Sequence, residues 1–281
     1  MPRNSSPAQP PASHAVAVRT VRFGAMATTV DASAEVAVES PVNIVYGNMP
    51  YAVMMTTPSD LEDFVAGFSL TEGIIRRIDE IRSIAVAPRD EGIVATVELA
   101  PGRFREHLAR RRNLSGRTAC GLCGVETLTD LPTAEAAGGT TVPVTAEAIA
   151  RGLAELEHHQ QLNRLTRSVH AAAWCDREGA ILAVREDVGR HNALDKLIGA
   201  RLRAGQDASE GFVLVTSRAS FEMVEKAAIF GAGTLVAISA PTSLAIERAN
   251  ALGLTLVCIA RADSATVFAG RLADTVESVA R

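Results

Sequence analysis

The chain has 281 residues, a formal net charge of −4, 47% hydrophobic and only 4% aromatic side chains. That is a globular composition, long enough for one large domain or two modest ones, and it excludes collagen-like, coiled-coil and largely disordered proteins. The acidic balance and scarce aromatics argue against nucleic-acid binding, and no apolar run reaches the roughly 18 residues of a membrane span. Four cysteines are too few for a disulfide scaffold. The N-terminus lacks a signal-peptide pattern, so these thiols are expected to be reduced in the cytoplasm.

Residues 1–14 are rich in proline and read as a disordered leader. From Ala15 to Val45 apolar and polar residues alternate, the pattern of strands. Ser59 or Asp60 is placed to cap a helix after Pro58, with Leu61, Phe64, Val65 and Phe68 as its single apolar face. Ile81–Val86 and Ile93–Leu99 add two strands, so residues 15–100 form a β-rich unit with one helix. Residues 101–144, first basic and then rich in small residues, read as a long flexible loop. Residues 145–281 alternate the two signals. Helices are expected from Thr145 to about Leu165, over Ala193–Ala204 with Asn192 as cap, over Phe221–Phe230 and over Ser243–Leu252. Strands are expected at Ala171–Cys175, Ala180–Val184, Gly211–Thr216, Thr234–Ile238 and Thr255–Ile259. This order points to an α/β domain on a mostly parallel sheet.

The motif with most chemistry is Cys120-Gly-Leu-Cys123. Gly121 and Gly124 let the chain bend and present both sulfurs. Residues 103–117 carry six arginines against one acid, Glu106. An opposite charge within about 4–6 Å can lower a pKa by about 1–3 units, enough to make a thiolate dominant at neutral pH. Nucleophilic sulfur chemistry by Cys120 and Cys123 is the favoured reading. Three others stand beside it: half of a zinc site, a dithiol redox pair and a purely structural pair. Zinc wants four ligands, and the remaining thiols, Cys175 and Cys258, are far off in apolar runs.

Three strand-to-helix turns offer an anion site. EDVGRHNALDK (186–196) supplies Arg190, His191 and Lys196 for a phosphate; TSRASFEMVEKA (216–227) supplies hydroxyls and the Arg218 fork; SAPTSLAIERA (239–249) repeats the pattern. Ligands of α/β sheets bind beyond the carboxyl ends of the strands. Neither a Walker loop nor a GxGxxG motif occurs, which disfavours a nucleotide hydrolase or a Rossmann dehydrogenase.

MMTTPSDLEDFVAGFSLTEGII, GRTACGLCG, EDVGRHNALDK, SFEMVEKA and SAPTSLAIERANALGLTL, in that order, make the chain resemble the FdhD family of formate dehydrogenase accessory proteins. The resemblance runs from about Val16 to Asp263. It implies a cytidine-deaminase-like, three-layer α/β domain with a smaller β-rich N-terminal domain, in a homodimer. It implies a carrier that takes persulfide sulfur from a cysteine desulfurase and passes it to the molybdenum of a bis-guanylyl-pterin cofactor destined for formate dehydrogenase. The persulfide-bearing cysteine maps to Cys120, with Cys123 as companion. The cofactor-contact segment maps to Ile259, Ala260, Arg261, Ala262, Asp263 and Ser264, and no permanently bound metal is implied. Deaminase activity itself is not expected, because the His-x-Glu and Pro-Cys-x-x-Cys zinc signature is missing.

Overall fold

A computed structural model describes residues 9–24, 26–106, 134 and 143–273. The first alternating stretch forms β1 (Ser13–Arg22) and β2 (Thr28–Ala37), an antiparallel two-stranded ribbon whose first strand begins inside the proline-rich leader. β3 (Ser40–Tyr46) buries every second residue, Val42, Ile44 and Tyr46 among them. It is joined by β4 (Met49–Thr56), β5 (Ile81–Arg89) and β6 (Gly92–Leu99) in a four-stranded sheet of order β4-β3-β6-β5.

α1 (Leu61–Thr71) differs from expectation in two ways. Ten of its eleven residues are buried, so it has no solvent face. It lies between the four-stranded sheet and the helices of the second sheet. Asp60 occupies the cap position in a left-handed conformation (φ 52°), and its side chain makes no capping bond.

Thr145 does cap α2 (Ala146–His159), accepting the Ala148 N–H at 3.1 Å. The expected single helix breaks at Gln160 and resumes as α3 (Gln161–Thr166). There follow β7 (His170–Asp176), β8 (Ile181–Asp187), α4 (Arg190–Arg203), β9 (Gly211–Val215), α5 (Phe221–Phe230), β10 (Thr234–Ala237), α6 (Ser243–Leu252), β11 (Thr255–Cys258) and β12 (Thr266–Ala269). The second sheet has the order β12-β11-β10-β9-β7-β8. Only two of its five pairings are parallel, which corrects the mostly parallel sheet expected. The cause is local. β7 returns as β8 through a tight turn in which Asp176 accepts the Glu178 and Ala180 N–H groups, and such a turn yields antiparallel strands where a crossover would yield parallel ones.

Alternation along these strands divides the core. Ala173, Cys175, Phe212, Leu214, Val236 and Val257 face α2. Their neighbours Trp174, Val213, Val215, Leu235 and Leu256 face the layer of α1, α4, α5 and α6. That layer is shared with the four-stranded sheet. α1 and α4 cross within it backbone to backbone: a Cβ on Gly67 would lie 1.9 Å from the Asp195 carbonyl oxygen, and one on Gly199 1.8 Å from that of Asp63. Only hydrogen fits at either position.

Two buried ion pairs flank the crossing. The Lys196 ammonium stands 2.7 Å from Asp187 Oδ2 and donates to the Thr57 carbonyl at 2.9 Å, with Lys196 and Asp187 both fully buried. Asp187 also accepts the Thr56 hydroxyl, the Thr57 and Gly189 N–H groups and the Asn192 amide, all within 3.1 Å. Lys226 donates to Asp195 at 2.9 Å and to Thr71 Oγ1 at 2.8 Å. Burial opposes its charge, but Asp195 and Glu72 outweigh that and hold its pKa above the ordinary lysine range. The chain's only two lysines are therefore internal braces. Lys196 is sealed from solvent, so its expected role on a phosphate is withdrawn.

Candidate functional site

The register of the second sheet brings five chain segments to one edge. β9, β10 and β11 run in parallel and end there. β7 starts there, since Ala172 pairs with Val215, and β8 ends there, since Asp187 pairs with His170. The loops beyond the strand ends are knitted by main-chain bonds: Ile238 N–H to Val215, Thr242 N–H to Ala219 and Ile259 N–H to Ser239, at 3.0–3.1 Å.

α4 opens on this edge three residues earlier than its apolar pattern suggests, with Arg190 and His191 in its first turn. Gly189, not Asn192, is the cap residue; Asn192 is buried and donates to the Met55 carbonyl at 2.8 Å and to Asp187. His191 Nε2 stands 2.7 Å from Glu222 Oε2, near enough for an ion pair but without the alignment of a hydrogen bond. The imidazole holds the Glu222 carboxyl below its usual range, against partial burial. Next to this pair, burial and the positive field of Arg190 and His191 push the His170 imidazole down, so its neutral form is favoured.

Arg190 Nε and Ser220 Oγ are buried yet find no hydrogen-bond partner among the described residues. Native structures rarely leave such atoms unmatched, and a ligand is one of the usual reasons. The other hydroxyls named from the sequence are committed. Thr216 Oγ1 accepts the Ala171 N–H, Ser217 donates to the Arg218 carbonyl, and Thr242 caps α6. Arg218 is exposed.

The segment 259–264 closes the edge. Ile259 sits in the left-handed region (φ 52°), which for a β-branched residue costs about 1–3 kcal/mol and persists only where the surroundings impose it. Its side chain is 41% exposed, while Ala260 beneath it is buried. The Arg261 N–H bonds the Ser264 carbonyl at 2.7 Å, and its guanidinium reaches the Ile238 and Ala260 carbonyls. Ala262, Asp263 and Ser264 are exposed. His191, Arg218 and residues 259–264, distant in sequence, thus share one strand-end edge.

Cys120 and Cys123 lie outside the described residues, as do Arg110, Arg111, Arg112 and Arg117. Arg103 is withdrawn from the cationic run expected to serve the thiols. It is buried, donates to the Gly73 and Ile74 carbonyls and pairs with Glu106. Cys175 and Cys258 are buried thiols pushed up to about 12 by desolvation, unreactive at neutral pH. His170 and Glu222 were missed from sequence. The pairing of β7 with β8 and β9 puts His170 at the edge, and the start of α5 puts Glu222 beside His191.

The comparisons with known proteins agree with the motif reading. A model of the FdhD/NarQ family matches residues 37–273. The chain belongs to the FdhD/NarQ family. Among its FdhD relatives is the sulfur carrier protein FdhD of Cupriavidus necator, 44% identical over 268 residues, covering 95% of this chain and 92% of that one. Its namesake from Xanthomonas euvesicatoria pv. vesicatoria is 48% identical over 251 residues, 89% of this chain and 88% of the other. A crystal structure assigned to a formate dehydrogenase accessory protein of Desulfotalea psychrophila superposes with a TM-score of 0.71 at 26% identity, covering 92% of this chain and 98% of that one. The mixed α/β fold with several sheets is therefore one this family shares.

Proposed function

We propose that this chain is a sulfur carrier of formate dehydrogenase maturation. It accepts sulfur from the persulfide of a cysteine desulfurase and passes it to the molybdenum of a bis-guanylyl-pterin cofactor, its cargo. The observation that carries the reading is membership of a family whose curated members are named sulfur carriers, joined to the Cys120-Gly-Leu-Cys123 motif behind an arginine run. The second sheet, with α2 on one face and the layer of α1, α4, α5 and α6 on the other, is read as the cytidine-deaminase-like unit, and the protein acts as a cytoplasmic homodimer. Among the described residues no helix is long and apolar enough to cross a membrane.

In the loading step the Cys120 thiolate attacks the outer sulfur of the desulfurase persulfide. A new sulfur–sulfur bond forms on Cys120, the old one breaks, and the desulfurase cysteine leaves as a thiol. In the release step the Cys123 thiolate attacks Sγ of Cys120. A Cys120–Cys123 disulfide forms and hydrosulfide departs to the metal, so the two electrons come from the cysteine pair, and a cellular thiol later reduces the disulfide. The strand-end edge is read as the seat of the cofactor's guanylyl phosphates. There Arg190, His191 and Arg218 supply charge, Ser220 a free hydroxyl, and 259–264 the wall.

The test is the mass of the peptide spanning Cys120 after incubation with a cysteine desulfurase and free cysteine. The expected gain is one sulfur, lost on reduction and absent from a Cys120→Ala protein. No gain in the wild-type peptide, or full activation of formate dehydrogenase by Cys120→Ala, overturns the proposal.

A further inference from the structure

The β1–β2 ribbon has two unlike faces. Its strands pair over ten positions without a slip, from Ser13 with Ala37 to Arg22 with Thr28. Alternation puts Val16, Val18 and Thr20 on one face with Val30, Ala32 and Ala34, and none of these carries a charge. The opposite face carries Glu35 and the Arg19–Asp31 ion pair. An uncharged face behind a charged one is the pattern of antiparallel strands with one side packed and one side in water. Little of the uncharged face is packed within the chain. β2 meets α3 near the base of the ribbon, where Val16 and Ala34 are half-buried. Further out Thr20, Val30 and Ala32 are exposed, and Phe23 at the tip is 94% exposed. A two-stranded ribbon in water is marginally stable at best until something covers it.

One flank of the body presents a surface of matching character. β4 and β8 are edge strands of the two sheets. They end side by side, since Asp187 accepts the Thr56 hydroxyl and the Thr57 N–H. α3 is tied to the same flank, because Glu186 accepts the Leu162 and Asn163 N–H groups at 2.8 Å. On these three elements Val53, Met55, Leu165 and Leu182 are 48–64% exposed. Native proteins rarely leave open sheet edges uncovered. The chain's own ribbon leaves all four side chains in water, although its base stands on α3.

We propose that the ribbon is an exchange arm: in a two-fold pair of copies, the uncharged face of each ribbon lies on the partner's flank of β4, β8 and α3. A second copy is the occupant because arm and seat belong to one chain and adjoin at α3, so a single two-fold axis beside that helix covers both arms and both seats at once. The area agrees. The outer six pairs, Ala17 to Arg22, and the tip give a surface about 25 Å long and about 10 Å wide, roughly 250 Å². Two arms on two seats bury about four such areas, roughly 1,000 Å² in all, where specific interfaces begin. The proposal goes beyond the sulfur chemistry and shares with the functional reading only the homodimer.

Sedimentation equilibrium of the full chain, beside Val30→Asp and Leu182→Asp, tests this. Both side chains are exposed within one chain, so the subunit should keep its fold, read by near-UV circular dichroism. The wild type should be dimeric. Each variant should raise the dissociation constant about tenfold or more, because its carboxylate is buried unpaired only in the dimer. A benzophenone amino acid in place of Val30 then reads the seat in a mixture of isotopically light and heavy chains. Cross-links should join light chains to heavy ones and land in β4, α3 or β8. A monomeric wild type, an unchanged dissociation constant in either variant, or cross-links confined to one chain or to other elements overturns the arm. A monomeric wild type leaves the sulfur step standing, since the mass gain at Cys120 decides that separately.

Discussion

The seam between the two sheets and the strand-end edge are built from the same residue types, acids, bases, hydroxyls and amides, and differ in how completely these are matched. In the seam Asp187 collects four hydrogen bonds besides its lysine, and Lys226 is shared between Asp195 and Thr71. At the edge Arg190 Nε and Ser220 Oγ are left over, His191 faces Glu222 off-line, and Ile259 holds a strained backbone. Polar groups that answer one another within the fold are structural. Among the described residues, buried groups without a partner also occur elsewhere, at Asn43 Oδ1 and Arg201 Nε, but only at the edge do they gather beside charged side chains.

The largest test of this contrast lies in the seam. Lys196→Met leaves Asp187 buried with its charge uncompensated and is expected to cost about 3–5 kcal/mol in chemical denaturation. Adding Asp187→Asn should not restore that loss, because both carboxylate oxygens accept from other donors, Gly189 and Asn192 on one and Thr56 and Thr57 on the other, and an amide NH2 would face one of these pairs. A single variant as stable as wild type would break the contrast. Next comes Gly199→Ala. Its new methyl meets a backbone oxygen that has no rotamer to yield, so a loss of about 3 kcal/mol, the upper end of overpacking costs, is expected.

At the edge the pattern should invert. Arg190→Gln is expected to leave stability within about 0.5 kcal/mol, yet to weaken GDP, a fragment of the cofactor's guanylyl end, about tenfold in titration calorimetry. A destabilised variant with full affinity would place Arg190 with the seam instead. The smallest effect is in pH. The folded pKa of His170 lies below the ordinary value of about 6.5, so at lower pH the unfolded chain takes up a proton first. Stability should therefore be complete above about pH 6.5 and decline as pH falls from there through the folded value. His170→Gln should flatten the thermal midpoint over that window. Glu222 acts in a separate, more acidic window, because its depressed pKa loses stability only as pH falls below the carboxylate range.

Much of this was legible in the sequence where local rules govern. α5 and α6 were placed to the residue because Ser220 and Thr242 precede them and Gly231 and Gly253 end them in left-handed conformations, at φ 95° and 69°. β4 was missed because MPYAVMMT is apolar almost throughout and does not alternate, and β12 because four residues after a polar loop carry little pattern. The start of α4 was placed late because its first turn, Arg-His-Asn, looks like loop; Asn192 is buried there by contacts to Met55 and Asp187. The sequence pattern offers Lys196 a phosphate, where the fold gives it Asp187, and offers Lys226 no partner at all. Lys226 answers to Asp195 and Thr71, far away in sequence, and no spacing rule reveals a partner that only the crossing of α1 and α4 supplies.

The glycine contact between α1 and α4 has a consequence for how the protein could be divided. A cut between residues 106 and 143 would put Gly67, Asp63 and Thr57 on one fragment and Gly199, Lys196 and Asp195 on the other. Each half would then show water a strip of bare helix, and Asp63 would be parted from its partners Arg185 and Arg203. The two pieces should prove insoluble when made singly, yet rebuild the native protein when synthesised together, an unaided complementation pair.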